Sequence, residues 1–254
     1  MNIQIMIGLL IPFLGTSLGS LMVFFIKDKI SEKFQVFLMS FASGIMIAAS
    51  VFSLLIPAIE MSAGMGKLSF LPAILGFILG NIFLFFLDKI ISFIDQRKLN
   101  EQSNTLREKS MLFFSVTLHN IPEGMIVGIM FSALLVQDIS VTFTAAMALS
   151  IGIAIQNIPE GSIISIPLKL NGMSQFKAFL YGVLSGVVEP IGAIITLLLT
   201  SYIIPFIPYM LSFAAGTMMY VVFDELVPEQ KSRCTTLGAL SGFVVMMFLD
   251  IVLG

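Results

Sequence analysis

The chain has 254 residues and a formal net charge of -2, with 57% of its residues hydrophobic and 11% charged. An ordinary soluble domain carries about 45–50% apolar and about 25% charged residues, so 13 basic and 15 acidic side chains cannot clothe a water-exposed fold of this length. Lipid is therefore the expected solvent, and the absence of a basic footprint argues against a nucleic-acid partner.

An all-α polytopic membrane protein is expected, with one transmembrane domain over residues 1–254. A bilayer core takes about 20 mostly apolar residues per helix. Residues 3–26 and 34–59 carry no charge; 68–87 is likewise uncharged and continues past Asp88 and Lys89 to Ile94. The first run has no basic leader region and is too long for a cleaved signal, so it reads as a retained span. Segment 95–109 (DQRKLNEQSNTLREK) is polar and without periodicity, which predicts a mobile cytosolic loop between spans three and four.

Spans four and five, residues 110–137 and 139–168, hold one charge each, Glu123 and Glu160. From Ala178 to Phe223 the only charge is Glu189, and this run is long enough for two spans broken at Pro205 and Pro208. Span eight follows Arg233 and runs to the C-terminus, with Asp250 near its outer edge. The single cysteine, Cys234, reads as a reduced cytosolic thiol.

Lys and Arg favour cytoplasmic loops. With the N-terminus outside, the inner loops and helix ends hold Lys27, Lys29, Lys33, Lys89, Arg97, Lys98, Arg107, Lys109, Lys169, Lys177, Lys231 and Arg233, against Lys67 alone outside. Both termini are thus expected to be extracellular.

Two internal repeats stand out. The hexapeptide His119-Asn120-Ile121-Pro122-Glu123-Gly124 of span four recurs in span five as Gln156-Asn157-Ile158-Pro159-Glu160-Gly161. Ser40-Phe41-Ala42-Ser43-Gly44-Ile45-Met46 of span two is echoed more faintly by Ser212-Phe213-Ala214-Ala215-Gly216-Thr217-Met218 of span seven. Both pairs cross the membrane in opposite directions in this topology, which predicts an inverted 3+2+3 helix repeat. Such symmetry marks carriers whose binding site lies near the midplane at broken helices.

An ionised carboxylate at mid-bilayer costs at least about 2.5–3.5 kcal/mol, so Glu123, Glu160 and Glu189 must face one another or a cation. Residues four apart share a helix face, which projects His119 with Glu123 and Gln156 with Glu160. Asn120 and Asn157 flank them. The prolines at 122, 159 and 190 free the carbonyls of Leu118, Ile155 and Gly186.

Carboxylates, amide and carbonyl oxygens and one imidazole describe a site for a divalent cation such as zinc, iron(II), manganese(II) or cadmium, and the lack of thiolates disfavours copper(I). One dication against three glutamates leaves -1 and two give +1, so bridging carboxylates and a two-metal site are feasible. Ser43, Met46, Ser50 and Ser53 form a polar stripe in span two, which packing alone would explain equally well.

These residues resemble the ZIP family of divalent-metal importers, whose signature on the fourth and fifth helices is similar to the two hexapeptides. The resemblance covers the whole chain and implies the ZIP fold, with spans one, four, five and six moving against a scaffold of two, three, seven and eight that forms a homodimer. It implies one metal position from His119, Glu123, Gln156, Glu160 and Met46. A second would use Asn120, Asn157 and Glu189, bridged by Glu123 and Glu160. Ser53 and Glu60 would line the outer entrance, and Asp224 and Glu225 the cytosolic exit. Many relatives carry histidine where Gln156 stands, and aspartate can replace Asn157; fewer nitrogen and charged donors broaden the expected selectivity.

The expectation is import of Zn2+, and of Fe2+, Mn2+ or Cd2+, by alternating access in a plasma (cell inner) membrane, with the metal as cargo and no resident cofactor. The alternative is an ion-coupled carrier of a small organic solute, with the glutamates as proton relays. An intramembrane protease of the His-Glu-x-x-His type needs two histidines and the chain has one, so no enzyme is expected.

Overall fold

The computed structural model describes residues 3–25, 31–97, 104–135, 141–170, 172–226 and 232–253, and all secondary structure among them is helical. The helices are α1 (Ile3–Leu21), α2 (Glu32–Ala49), α3 (Ile56–Met61), α4 (Phe70–Arg97), α5 (Asn104–Leu135), α6 (Phe143–Leu170), α7 (Gln175–Gly186), α8 (Val188–Leu198), α9 (Thr200–Ile203), α10 (Ile207–Val221) and α11 (Arg233–Leu253). Among the described residues, seven helical runs are long and apolar enough to cross a membrane, and α5 adds a shorter apolar stretch, Asn120–Leu135. The chain is a multi-pass membrane protein.

Local chemistry explains where the helices begin and break. The hydroxyls of Ser31 and Ser174 accept from the backbone N–H groups of Phe34 and Lys177, capping α2 and α7. Proline lacks the N–H that an interior helical turn requires. Accordingly α10 starts only after Pro205, with Pro208 in its first turn. The interruption between α7 and α8 falls at Gly186 and Val187, one turn before Pro190. Within segment 95–109, α4 extends to Arg97 and α5 begins at Asn104; the linker between them lies outside the described residues.

The spans pack as parallel pairs: α1 with α6, α5 with α8, α2 with α11 and α4 with α10. Each pair closes over a Gly-x-x-x-Gly step. Gly15 and Gly19 of α1 press on the backbone of Ala154 and Ile158, and Gly124 and Gly128 of α5 on Glu189 and Ala193. Gly76 and Gly80 of α4 meet Tyr209 and Phe213 of α10, while Gly238 and Gly242 of α11 meet Phe37 and Phe41 of α2. In lipid no hydrophobic force drives helices together, so close backbone approach at small residues supplies the van der Waals contact.

The pairs α1–α6 and α5–α8, with α7, make one group; α2–α11 and α4–α10 make the other. The two groups meet where α2 and α11 pack on α6 and where α10 packs on α5. Outward faces are apolar, with Phe86, Leu198, Phe248 and Ile251 exposed, as side chains against acyl tails should be.

Two segments depart from the α-helix. A π-helical turn over Ser50–Leu55 joins α2 to α3, and another over Val222–Leu226 follows α10. Such widened turns free backbone carbonyls and concentrate at functional sites. The sequence pattern carries no sign of either.

Candidate metal site

The two repeated hexapeptides lie on α5 and α6, each with its proline inside the helix. A Cβ on Gly124 would collide with the backbone of Glu189, so the glycine that ends the first hexapeptide lets α8 bring its glutamate against α5. Asn120, Gln156, Asn157 and Glu189 are completely buried, Glu123 is 3% exposed and Glu160 7%. These depths are those of a protein core, and the surrounding medium is lipid.

The hydrogen bonds set the direction of each side chain. Gln156 Nε2 donates to Glu123 Oε1 at 2.8 Å. Asn120 Nδ2 donates to the Ser185 carbonyl at 3.2 Å and to Glu189 Oε1 at 3.3 Å. Thr16 Oγ1 of α1 donates to the same Glu189 oxygen at 2.6 Å. Glu160 lies within electrostatic reach of the Glu189 carboxyl group, and the Asn157 side chain lies beside it.

Every amide N–H2 that is bonded thus points at a carboxylate or a carbonyl, and the oxygen ends are left over. Asn120 Oδ1, Gln156 Oε1, Asn157 Oδ1 and Glu189 Oε2 are all buried without a hydrogen-bond partner. A buried polar group left unpaired costs about 1–3 kcal/mol. Asn157 Nδ2 is unpartnered beside them, but four oxygens in this condition on α5, α6 and α8 make a surface dominated by hard acceptors, which suits a divalent cation.

Met46 joins from the other helix group. It is 1% exposed and lines a small cavity with Leu84, Pro122, Glu123, Thr217, Met218 and Val221. The free space is about 10 Å³, on the order of one water molecule. Of the residues that the resemblance assigns to the first metal position, Met46 and Glu123 thus share one cavity, and Gln156 bonds Glu123. His119 belongs to α5, but its side chain lies outside the described residues.

Other expectations distribute differently. Among the described residues no three His, Cys, Asp or Glu side chains form a metal-holding group by themselves. Amides stand among the glutamates instead, and Gln156 takes up one oxygen of Glu123. In the polar stripe of span two, Ser43 and Ser50 bond back to the carbonyls of Met39 and Met46. Ser53 alone reaches across, donating to Asp250 Oδ1 of α11 at 2.7 Å. Glu60 is exposed on α3, one helical turn beyond the first π-turn. Asp224 is exposed on the second π-turn, and the Glu225 side chain lies outside the described residues.

Sequence reasoning missed Thr16, Thr217 and Met218 at the site and Asp250 as the partner of Ser53. The faint echo between spans two and seven already paired Met46 with Met218, and both line the cavity beside Glu123. That correspondence was a usable signal.

Residues 101–250 match the family model described as ZIP Zinc transporter. The chain is 32% identical to Zinc transporter ZIP11 of Xenopus tropicalis, across 99% of this chain and 98% of that protein. It is 33% identical to Zinc transporter GufA of Myxococcus xanthus, covering 94% of this chain and 95% of the relative. With Zinc transporter ZIPB of Bordetella bronchiseptica the identity is 33%, over 95% and 79% of the two chains.

Proposed function

Because the chain belongs to the ZIP family, we propose that it carries divalent metal ions, Zn2+ foremost and Fe2+, Mn2+ or Cd2+ beside it, across a plasma membrane into the cytoplasm. The observation that carries this reading is the set of buried, unpartnered oxygens of Asn120, Gln156, Asn157 and Glu189. A cation is the partner that satisfies several acceptor oxygens at once, and the neighbouring carboxylates supply the charge that draws it out of water.

In this reading His119, Glu123, Gln156, Glu160 and Met46 hold one metal, while Asn120, Asn157 and Glu189 hold a second that Glu123 and Glu160 bridge. The chain crosses eight times with both termini outside, α5 supplying the eighth crossing. The parallel packing of α1 with α6 and of α5 with α8 supports an inverted 3+2+3 repeat, because each pair then crosses in one direction. Alternating access follows as motion of the group containing α1, α5, α6, α7 and α8 against the group containing α2, α4, α10 and α11. Ser53 and Glu60 face the outer water, Asp224 and Glu225 the cytosol, and a homodimer forms through the second group.

A cavity of about 150 Å³ opens between α2 and α6, lined by Gln35, Met39, Pro159 and Ser162, but at the Glu123 carboxylate itself space argues against the organic-solute alternative. Drug-sized ligands occupy pockets of about 300–1,000 Å³, whereas the cavity beside Glu123 offers about 10 Å³. The test is Zn2+ uptake by purified protein in sealed vesicles. Glu123→Ala and His119→Ala should each abolish uptake while leaving a folded protein, and undiminished uptake by both would overturn the site.

A further inference from the structure

In the reading above, α1 contributes no metal ligand. Yet Thr16, in the C-terminal half of α1, is completely buried and donates from Oγ1 to Glu189 Oε1 at 2.6 Å. Asn120 Nδ2 reaches the same oxygen at 3.3 Å, while Glu189 Oε2 is buried without a partner. The two donors converge on one oxygen and leave the other for a cation.

The approach of Thr16 to Glu189 is built into the packing. A Cβ on Gly186 would lie 2.9 Å from Thr16 Cβ and 3.1 Å from Glu189 Oε1, tighter than ordinary contact on both sides of the hydrogen bond. From the opposite flank, a Cβ on Gly161 would strike the Thr16 carbonyl. Only glycine at both positions seats the hydroxyl on the carboxylate.

The repeat gives this pair a further meaning. Gly161 closes the second hexapeptide and packs on the backbone of Thr16; Gly124 closes the first and packs on the backbone of Glu189. Since Gly124 and Gly161 are equivalent in the repeat, Thr16 and Glu189 occupy equivalent places on α1 and α8. Gly19 and Gly192 keep the same register, three residues further along each helix. One equivalent position carries the carboxylate and the other carries the hydroxyl that holds it.

We propose that Thr16 is a positioning residue of the metal site, whose hydroxyl fixes Glu189 Oε1 so that Oε2 faces the cation. The proposal rests on the metal-carrying reading. A buried threonine that merely glued helices together would bond a backbone carbonyl or a neutral partner. This hydroxyl instead bonds a buried carboxyl group, and the bond becomes the stronger, charge-assisted kind when Glu189 is ionised against a cation.

The experiment is calorimetric titration of Zn2+ into the purified full-length protein in lipid nanodiscs. Thr16→Val keeps the shape and removes the donor, and should weaken Zn2+ binding about tenfold, the effect of one hydrogen bond to a charged group. Thr16→Ser restores the hydroxyl and should bind close to wild type. In a Glu189→Gln background, Thr16→Val should add little further loss, because the two side chains act as a unit. Full affinity in Thr16→Val, or the same loss in the presence and absence of the Glu189 carboxylate, would overturn the proposal. Failure of the unaltered protein to bind Zn2+ would overturn the carrier reading itself.

Discussion

Gln156 donates its side-chain amide to Glu123 at 2.8 Å, tying the first residue of one repeated hexapeptide to the acid of the other. The bond crosses from α6 to α5 and leaves Gln156 Oε1 buried and unpartnered. One side chain thereby both orients a carboxylate and presents a neutral oxygen donor. Removing it should harm metal binding in two ways. Gln156→Ala is expected to raise the half-saturating Zn2+ concentration for uptake about tenfold or more, measured in sealed vesicles. An unchanged half-saturation would mean that this amide does not belong to the site.

Replacing that oxygen by nitrogen should change preference rather than abolish function. Imidazole suits zinc, whereas carboxylate and carbonyl oxygens suit manganese. Gln156→His is therefore expected to raise the ratio of Zn2+ to Mn2+ uptake, read by competition between the two ions in the same vesicles. A fall in that ratio would contradict the donor assignment.

The glycine at the foot of α7 makes a different prediction. Gly186→Ala places a methyl group 2.9 Å from Thr16 Cβ and 3.1 Å from Glu189 Oε1. Overpacking of a tight interface typically costs about 1–3 kcal/mol, so thermal unfolding of the variant should move to lower temperature and Zn2+ binding should weaken with it. Gly64, with open space around its Cβ position, serves as the control, and Gly64→Ala should change neither.

At the far end of α2 the Ser53 hydroxyl bonds Asp250 Oδ1 at 2.7 Å, pinning the π-turn over Ser50–Leu55 to α11. Asp250→Ala should lower thermal stability by about 1 kcal/mol, the worth of a single partly buried hydrogen bond. It should also slow Zn2+ uptake while leaving Zn2+ affinity of the central site intact. Loss of central affinity would show that the mouth and the midplane site are not separable.

The chain's one cysteine reports on topology. Cys234 is partly buried in the first turn of α11, on the side expected to be cytosolic. In right-side-out vesicles a membrane-impermeant maleimide should leave it unlabelled until the membrane is opened. In a Cys234→Ser background, Lys67→Cys should label from outside at once. The reverse pattern would invert the orientation.

Much of the membrane organisation could be read from composition, because long uncharged runs have few other uses and a proline pair between two such runs marks a break. Pro205 falls in the break before α10, with Pro208 in the first turn of α10 and Pro190 in the first turn of α8, whereas Pro12, Pro122, Pro159 and Pro167 lie inside continuous helices. The paired hexapeptides announced a polar centre because histidine, asparagine and glutamate in apolar helices demand partners. Thr16 announced nothing: a lone threonine in a span is cheap to bury, and only the fold reveals that it faces Glu189. The π-turn at Ser50 and its tether to Asp250 are equally silent, since both depend on how α2 meets α11. The Gly-x-x-x-Gly steps are written in the sequence, but which backbone each step receives is settled by tertiary packing.

Anomalous scattering from crystals grown with Zn2+ or Cd2+ tests the central claim most directly. The account predicts metal density between α5, α6 and α8, with oxygens of Glu123, Gln156, Glu160 and Glu189 among those at about 2.0–2.2 Å from zinc. Density confined to the exposed acids Glu60 and Asp224, with Glu123 and Glu189 bonded only to protein groups, would contradict it.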